Sequence, residues 1–378
     1  MSEGCEDRYC FIAEWYDPHA AFKRRYQFMY YVKDKTVEMF DVKNHRVFLK
    51  RTKMDELRLE DLYINSTLNV FSRQLNFVDY GDEFTRRKLA NKKERTLGLI
   101  KPDAVPKMGQ VLDVLFKNGF LIANMKMCRL NRTEALEFYQ EHQGKTYFDT
   151  LLNYITSGPI IAIELMGPDC VSQWTDLLGP TDPATARTQA PNSIRARFGK
   201  DSIQNACHGS DSIGAAAREI EFFFPSNGSP VQKSTAIFSD CTCCVIKPHA
   251  VKSGAAGDII SKIMEAGFEI SMLQVFHMEK ANAEEFYEVY KGVVQEYGEM
   301  VNELTSGPCI ALEIRANDAP KAFRDMVGPA DPEIARHLRP RTLRAKFGNN
   351  KIQNAVHCTD LPEDGELEVE YFFRILGC

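Results

Sequence analysis

The sequence lacks a long hydrophobic run. A membrane-spanning helix needs about 20 consecutive apolar residues, and the apolar stretches here, such as residues 159–165, are far shorter. The opening residues, Met-Ser-Glu-Gly-Cys-Glu-Asp, are acidic and have no apolar core like that of a secretory signal peptide. We therefore expect neither a membrane partner nor an export signal.

An excess of positive charge is also missing. The chain has 47 Lys and Arg against 52 Asp and Glu, a formal net charge of −5. Proteins that coat nucleic acids carry surplus cations to pair with phosphates, so we expect no nucleic-acid partner. The content of 44% hydrophobic and 26% charged residues is typical of a folded protein. Its 378 residues suit two or three domains.

A regular disulfide framework is absent as well. The eleven cysteines are an odd number without even spacing, which predicts reduced thiols in the cytoplasm. The densest group, Cys241, Cys243 and Cys244, continues into the apolar pair Val245-Ile246. Burial in a strand is the favoured interpretation, and a metal site is the alternative. No second cysteine pair at zinc-site spacing supports that alternative, and we predict no metal ligands.

The sequence does contain a long internal repeat. Leu-Ile-Lys-Pro-Asp-Ala-Val at 99–105 returns as Val-Ile-Lys-Pro-His-Ala-Val at 245–251, and Ser-Gly-Pro at 157–159 returns at 306–308. Ile-Arg-Ala-Arg-Phe-Gly at 194–199 returns as Leu-Arg-Ala-Lys-Phe-Gly at 343–348. So many matches in order indicate two copies of one domain. We place copy one at residues 92–224 and copy two at 239–378, joined by a linker at 225–238.

Each copy alternates strand-like and helix-like segments. An apolar strand precedes Ile-Lys-Pro, a helix-period segment ends at Gly119 or Gly267 as a C-cap, and further strands and helices follow. A long loop containing Pro and Asp is expected before the repeated histidine. The order predicts an α+β fold with helices packed on an antiparallel sheet.

The first 91 residues differ from both copies. Stretches rich in β-branched and aromatic residues at 25–32, 36–41 and 46–50 predict a small antiparallel β-domain. Five basic residues lie within 43–53. A solvated hairpin face is the favoured interpretation of this stretch, and a docking patch for an acidic partner is the alternative.

The repeated polar residues suggest chemistry. Each copy keeps a Lys after a strand and, eleven residues before a Glu, a His: His208 with Glu219, and His357 with Glu368. A carboxylate bound to Nδ1–H would leave Nε2 free as a nucleophile, and Lys, Arg and Asn would donate to phosphate oxygens. Taken singly, each residue is more often structural. Their joint recurrence predicts phosphoryl transfer through a phosphohistidine.

No Walker A loop, glycine-rich kinase loop or kinase catalytic loop is present. Side chains would therefore have to hold the phosphates. Since no carboxylate pair at ligand spacing is visible, Mg²⁺ would arrive bound to the nucleotide phosphates.

The motifs Ile-Lys-Pro-Asp, Ser-Gly-Pro, Ile-Arg-x-x-Phe and Asn-x-x-His-Gly-Ser-Asp-Ser resemble the signature of nucleoside diphosphate kinases. The resemblance implies two tandem ferredoxin-like βαββαβ domains preceded by the small antiparallel β-domain. It implies ping-pong transfer of a γ-phosphate from ATP or another nucleoside triphosphate to a diphosphate.

The resemblance also implies roles for residues of copy one. His208 would be the nucleophile, Glu219 its orienting partner and Ser210 their neighbour. The residues implied to hold the nucleotide are Lys101, Tyr139, Tyr147, Thr181, Arg195 and Asn205. Thr175 stands where the family has a second phosphate-binding Arg. Each charge-assisted donor lost costs about 1.5–3 kcal/mol, so copy one is expected to be slow.

Copy two departs at other positions. Its implied catalytic residues are His357 and Glu368, and its implied nucleotide-binding residues are Lys247, Tyr287, Arg324, Arg344 and Asn354. Ala330 replaces the loop Thr, Cys358-Thr359 replaces Gly-Ser, and His249 replaces the Asp of Ile-Lys-Pro-Asp. We therefore expect copy one to be the more active.

The whole layout is similar to the divergent tandem members of the family. Their N-terminal module is shared with EF-hand-containing axonemal proteins, and residues 11–18 and 40–46 carry that resemblance. It implies a microtubule inner protein of ciliary doublets, found in the cytoplasm, cytoskeleton, axoneme and centrosome. Its partners would be tubulin, other doublet proteins and the γ-tubulin ring complex.

Two hypotheses follow. In the favoured one, the protein is chiefly a cytoskeletal scaffold with residual phosphotransfer in copy one. In the alternative, nucleoside diphosphate kinase activity is its main role. The two linked copies are also expected to form an internal pseudo-dimer.

Overall fold

A computed structural model describes residues 8–17, 20, 22–55, 57–64, 66–71, 73–89, 94–226 and 232–377. The chain divides into two compact units. One consists of Met1–Lys93 with His277–Gly307, and the other of Glu94–Phe276 with Pro308–Cys378.

The N-terminal domain is an antiparallel sheet. Alternating aromatic residues of its second strand (Tyr26, Phe28 and Tyr30) are buried, as expected for a sheet with one face on a core. The predictions at 25–32, 36–41 and 46–50 are confirmed, and three further strands and a helix complete the domain. The elements are β1 (Arg8–Asp17), β2 (Phe22–Tyr31), β3 (Thr36–Asp41), β4 (Arg46–Lys53), β5 (Thr67–Val70), β6 (Arg73–Tyr80) and α1 (Glu83–Leu89). The order of the strands in the sheet is β4-β3-β2-β1-β6-β5.

Copy one contains four main strands and seven helices within its described residues. They are β7 (Glu94–Ile100), α2 (Met108–Lys117), β8 (Leu121–Arg129), α3 (Arg132–Phe138), α4 (Phe148–Ile155), β9 (Ile160–Gly167), α5 (Cys170–Leu178), α6 (Pro183–Gln189), α7 (Ile194–Phe198), β10 (Cys207–Gly209) and α8 (Ile213–Phe223). A short strand, β11 (Lys233–Ser234), follows and pairs with β8.

Copy two repeats this order with one additional helix after its first strand. Its elements are β12 (Cys241–Ile246), α9 (Pro248–Lys252), α10 (Ala256–Glu265), β13 (Glu269–Phe276), α11 (Lys280–Phe286), α12 (Tyr297–Leu304), β14 (Cys309–Arg315), α13 (Ala319–Val327), α14 (Pro332–Leu338), α15 (Leu343–Phe347), β15 (Val356–Cys358) and α16 (Gly365–Glu370). A π-helical turn, Tyr371–Leu376, follows.

One continuous sheet joins the strands of the two copies. Its order is β10-β7-β9-β8-β13-β14-β12-β15, and the strand pairs described are antiparallel. In each half the fourth strand lies beside the first, and the third lies between the first and the second. The prediction of two ferredoxin-like βαββαβ domains is therefore confirmed.

The copies meet along β8 and β13, where Lys126 faces Gln274. Helices α2 and α10 cross beside this seam at two glycines. A Cβ on Gly257 would lie 2.3 Å from the backbone nitrogen of Asp113, and one on Gly109 would lie 2.5 Å from that of Ser261. Glycine permits this close approach because it has no side chain. The expected internal pseudo-dimer is confirmed.

The long loop predicted before each histidine is wrong in part, because it contains two short helices in each copy. In copy one, Asp182 caps α6 by accepting hydrogen bonds from Ala184 and Thr185, with Pro183 at the first helical position. Ser193 caps α7 by accepting from Ala196. The same Asp and Pro that indicate a loop are also helix-start residues.

The cysteines of β12 are buried. Cys243 and Cys244 are completely inaccessible and Cys241 is nearly so, and burial raises the pKa of the first two thiols well above the usual value. The prediction that these residues pack as small hydrophobic side chains is confirmed. Among the described residues, no helix has both the length and the apolar character needed to cross a bilayer.

Candidate active site

The site in copy one is organised around a histidine on a short strand. His208 is the central residue of β10 and lies opposite Leu99 of β7. Helix α8 is capped by Ser212, which accepts a hydrogen bond from Ala215, and it turns Glu219 towards the sheet. The distance from His208 Nε2 to Glu219 Oε2 is 2.9 Å.

The carboxylate of Glu219 has a second partner. Ser210 Oγ donates to the same oxygen at 2.7 Å. Burial alone would raise the pKa of Glu219, but the hydrogen bond and charge of His208 and the hydrogen bond from Ser210 outweigh it, so the pKa is lowered. An ionised carboxylate therefore faces the imidazole.

The expected nitrogen assignment is wrong. We expect from the sequence that Glu219 binds Nδ1–H and leaves Nε2 free. In the structure, Nε2 is the ring nitrogen that contacts the Glu219 carboxylate. Sequence spacing brings helix α8 to the ring but does not fix which edge of the ring faces the helix. Nδ1 is therefore the nitrogen left for chemistry, with the ring proton on Nε2. The His208 side chain remains 21% exposed.

Two aromatic rings pack against the imidazole. Helix α3 begins with a reciprocal capping box between Asn131 and Glu134, and at its other end it presents Phe138 and Tyr139. Their ring centroids lie 5.4 and 6.0 Å from that of His208 in edge-to-face geometry. The buried hydroxyl of Tyr139 has no hydrogen-bond partner within the described residues, and its contact with a phosphoryl oxygen stays a prediction.

A buried lysine lies next to this strand. Lys101 follows β7, and its Nζ donates to Asn205 Oδ1 at 2.7 Å and to the carbonyl of Ile203 at 3.3 Å. The Asn205 amide donates to the carbonyl of Thr181 at 3.0 Å. Burial, together with the charge of Arg195, lowers the pKa of Lys101 to about 8.

Arg195 links the preceding loop to the histidine strand. From α7 it donates to the carbonyls of Gly179 at 2.8 Å and Cys207 at 3.3 Å. Its Nε is buried and has no partner within the described residues. Gly179 has φ +75°, and a Cβ there would lie 2.4 Å from Ser193 Oγ. This turn needs glycine for both reasons.

Three other positions of copy one that the family resemblance singles out are Thr181, Tyr147 and Thr175. The Thr181 side chain is exposed, and its carbonyl is held by Asn205. Tyr147 is 40% exposed, and its hydroxyl lies 3.0 Å from His142 Nδ1. Thr175 uses its hydroxyl within helix α5, donating to the carbonyl of Val171 at 2.8 Å. The nucleotide contacts of Thr181 and Tyr147 stay predictions.

Copy two reproduces the histidine and glutamate pair. His357 Nε2 lies 2.9 Å from Glu368 Oε2, and Thr359 Oγ1, in the position of Ser210, donates to the same oxygen at 2.9 Å. The His357 side chain, however, is only 6% exposed. The pair has the same geometry as in copy one but is less accessible.

The cations and amide of copy two also make matching backbone contacts. Lys247 donates to the carbonyl of Ile352 at 2.9 Å, and Asn354 donates to that of Ala330 at 3.0 Å. Arg344 donates to the carbonyls of Gly328 and Val356. Arg324 forms an exposed ion pair with Asp360 at 3.7 Å. Tyr287 is fully buried at the end of α11, in the other compact unit.

Copy two accommodates its cysteine beside the histidine by a compensating change. In copy one, a Cβ on Gly209 would lie 2.5 Å from Trp174 Nε1. Copy two has Cys358 at the matching position and the smaller Phe323 in place of the tryptophan. Both Cys358 and Phe323 are buried. The cysteine therefore replaces the glycine without disturbing the fold.

Sequence reasoning assigned no role to Asp103 or Tyr154. The Tyr154 hydroxyl donates to one oxygen of Asp103, and the backbone N–H of Ala206 donates to the other at 3.2 Å. The sequence feature that could have indicated a role for Asp103 is its place in the Ile-Lys-Pro-Asp motif. Copy two has His249 at the matching position.

The site is rich in donors rather than metal ligands. Among the described residues, no group of three or more His, Cys, Asp or Glu side chains could hold a metal ion. Lys101 and Arg195 instead supply cationic N–H donors of the kind that bind phosphate oxygens.

Two family models match the chain. The model "Nucleoside diphosphate kinase" matches residues 94–228 and 240–376. The model "Nucleoside diphosphate kinase 7 N-terminal PH domain" matches residues 3–91.

Individual proteins and a solved structure are also similar to the chain. The nucleoside diphosphate kinase homolog 7 proteins of Rattus norvegicus and Mus musculus are each 56% identical over 370 residues, covering 98% of this chain and 94% of the relative. A solved nucleoside diphosphate kinase from Aquifex aeolicus is 43% identical, covering 35% of this chain and 96% of its own, with a TM-score of 0.35.

The pKa of Lys101 predicts how phosphate binding depends on pH. The ammonium is charged below about pH 8 and neutral above it, so affinity for ADP should fall as pH rises above 8, by at most about tenfold per pH unit. Isothermal titration calorimetry measures this in a chain carrying Lys247→Ala to weaken copy two. A Lys101→Arg variant should show a flatter profile, because arginine stays charged. The same slope in both chains would rule out Lys101 as the titrating group.

Proposed function

The chain belongs to the nucleoside diphosphate kinase family, and from that membership we propose that copy one transfers the γ-phosphoryl group of a nucleoside triphosphate to a nucleoside diphosphate through His208. The observation that carries this proposal is the Nε2–Glu219 hydrogen bond in a partly exposed histidine. It leaves the lone pair of Nδ1 available while the ring proton stays on Nε2.

In the first half-reaction, Nδ1 attacks the γ-phosphorus. The Nδ1–P bond forms as the bond from phosphorus to the β,γ-bridging oxygen breaks, and the nucleoside diphosphate leaves with that electron pair. The ring gains positive charge, which the adjacent carboxylate of Glu219 stabilises. In the second half-reaction, a terminal phosphate oxygen of another diphosphate attacks the same phosphorus. The Nδ1–P bond breaks, its electron pair returns to Nδ1, and the neutral imidazole is restored.

The residues around His208 serve these steps in different ways. Lys101 and Arg195 place positive charge near the phosphates, and the Tyr139 hydroxyl can donate to the transferred group. Members of this fold use nucleotides with Mg²⁺, which neutralises phosphate charge when it is bound. The donor set here is suited to phosphates that carry their own cation.

Copy two is proposed to be the weaker catalyst. Its histidine and glutamate have the same spacing, but the imidazole side chain is 6% exposed against 21% in copy one. A γ-phosphate therefore has less access to His357 than to His208.

Radiolabel from [γ-³²P]ATP tests the assignment. The parent chain should take up acid-labile, alkali-stable label, as expected for phosphohistidine. His208→Ala should remove most of the label and most of the exchange between nucleoside triphosphates and diphosphates, because it removes the nucleophile. The matched variant His357→Ala should retain most of both. Label that persists in His208→Ala, or disappears only in His357→Ala, would contradict the proposal.

We further propose a role as a microtubule inner protein of ciliary doublets, also associated with the centrosome and the γ-tubulin ring complex. The supporting observation is the basic edge of the N-terminal sheet, which consists of the turn before β4 and β4 itself (residues 43–53). Arg51 and Lys53 pair with Asp34 and Asp55, which accords with a solvated hairpin face. Three other exposed cations of this edge suit an acidic partner such as tubulin: Lys43, Arg46 and Lys50.

Charge reversal tests this docking proposal. The full chain with Lys43→Glu, Arg46→Glu and Lys50→Glu should co-sediment less with microtubules than the parent, and the difference should shrink as salt is raised. A control chain with Lys321→Glu, Lys346→Glu and Lys351→Glu changes three exposed cations of copy two and should bind like the parent. Equal binding by the parent and both variants would show that the basic edge is not a docking surface.

A further inference from the structure

A strained turn precedes the catalytic histidine. Ala206 has φ +69°, a left-handed conformation that is uncommon for a residue with a Cβ. The N–H of Cys207 donates to the carbonyl of Asn205 at 2.8 Å, which closes a three-residue turn of the rare γ type with positive φ. Strain of this kind persists only where the surroundings hold it, and it is concentrated at functional sites.

Two contacts hold the Ala206 peptide. Its carbonyl accepts the N–H of Lys101 at 2.8 Å, and its own N–H donates to Asp103 Oδ2 at 3.2 Å. The other oxygen of Asp103 accepts the hydroxyl of Tyr154 from α4. Tyr154 therefore fixes one oxygen of the Asp103 carboxylate, and the other oxygen holds the turn at Ala206.

The turn lies between the groups that act on phosphate. On one side Asn205 binds Lys101 Nζ. On the other, the carbonyl of Cys207 accepts from Arg195, and His208 follows directly. If the turn opened, the amide and the imidazole would rotate relative to each other, because they are separated by only two residues.

Copy two keeps the turn with a different side chain. Ala355 has φ +70°, and the N–H of Val356 donates to the carbonyl of Asn354 at 2.9 Å. His249 stands in the place of the aspartate, and its Nε2 accepts the N–H of Ala355 at 3.2 Å. Two chemically different acceptors are thus placed on the same strained peptide, which indicates that acceptance of this N–H is the shared requirement.

We propose that Asp103 is a positioning residue for phosphoryl transfer, holding the Ala206 turn closed so that His208 and Asn205 face one phosphate. The inference rests on the proposed function of copy one. It assigns Asp103 no contact with the nucleotide: the residue acts through the backbone.

A double-mutant cycle tests this in the full-length chain. Asp103→Ala should slow single-turnover phosphorylation of His208 by roughly tenfold to a hundredfold, the loss expected from a small misplacement of a reacting group. In an Ala206→Gly background, the same substitution should cost less than about threefold, because glycine adopts positive φ without the carboxylate. Asp103→His, which introduces the acceptor of copy two, should retain most of the parent rate.

A second readout separates this inference from the proposed function. The ¹⁵N and ¹³C chemical shifts of the His208 ring report its orientation and surroundings whether or not the chain turns over. At fixed pH, Asp103→Ala should move these ring chemical shifts, and adding Ala206→Gly should return them toward the parent values. A parent chain that forms no phosphohistidine refutes the proposed function, while the ring chemical shifts still test the turn. Ring chemical shifts that are unchanged in Asp103→Ala, or not returned by glycine, overturn the positioning role.

Discussion

The hydrogen bond between His208 Nε2 and Glu219 Oε2 is the interaction on which the candidate active site depends. It needs a three-residue strand at the edge of the sheet and a helix that begins soon after it. The ferredoxin-like order supplies both, because the fourth strand pairs with the first and the last helix packs beside it. The bond fixes the ring, locates the proton on Nε2 and leaves Nδ1 as the reactive atom of the proposed phosphoryl transfer.

The two copies share this interaction and differ in what surrounds it. Copy one keeps a glycine next to the histidine because Trp174 fills the space that a Cβ would need. Copy two has a cysteine there and Phe323 in place of the tryptophan, and its imidazole is nearly inaccessible. Both copies thus contain the histidine and carboxylate pair of the proposed phosphate site, whereas the imidazole is accessible mainly in copy one.

Much of this architecture could be predicted from the repeat. Matching positions revealed two domains of one fold, and the eleven-residue spacing identified the histidine and glutamate pairs. The orientation of the imidazole ring could not be predicted in this way, because spacing does not determine which ring nitrogen contacts the carboxylate. The prediction that Nδ1 binds Glu219 is therefore wrong. The sequence predicts a loop where helices α6 and α7 lie, because Asp and Pro start turns as well as helices. The role of Asp103 depends on the positive φ angle of Ala206. That angle cannot be predicted from the presence of an alanine at 206 and an aspartate at 103.

The most direct measurement is the site of the phosphoryl group on the imidazole ring, determined by ¹⁵N–³¹P correlation NMR of the labelled, phosphorylated chain. Because Glu219 occupies Nε2, the account predicts phosphorus bonded to Nδ1 of His208. Phosphorus on Nε2, or on a residue other than His208, would contradict it.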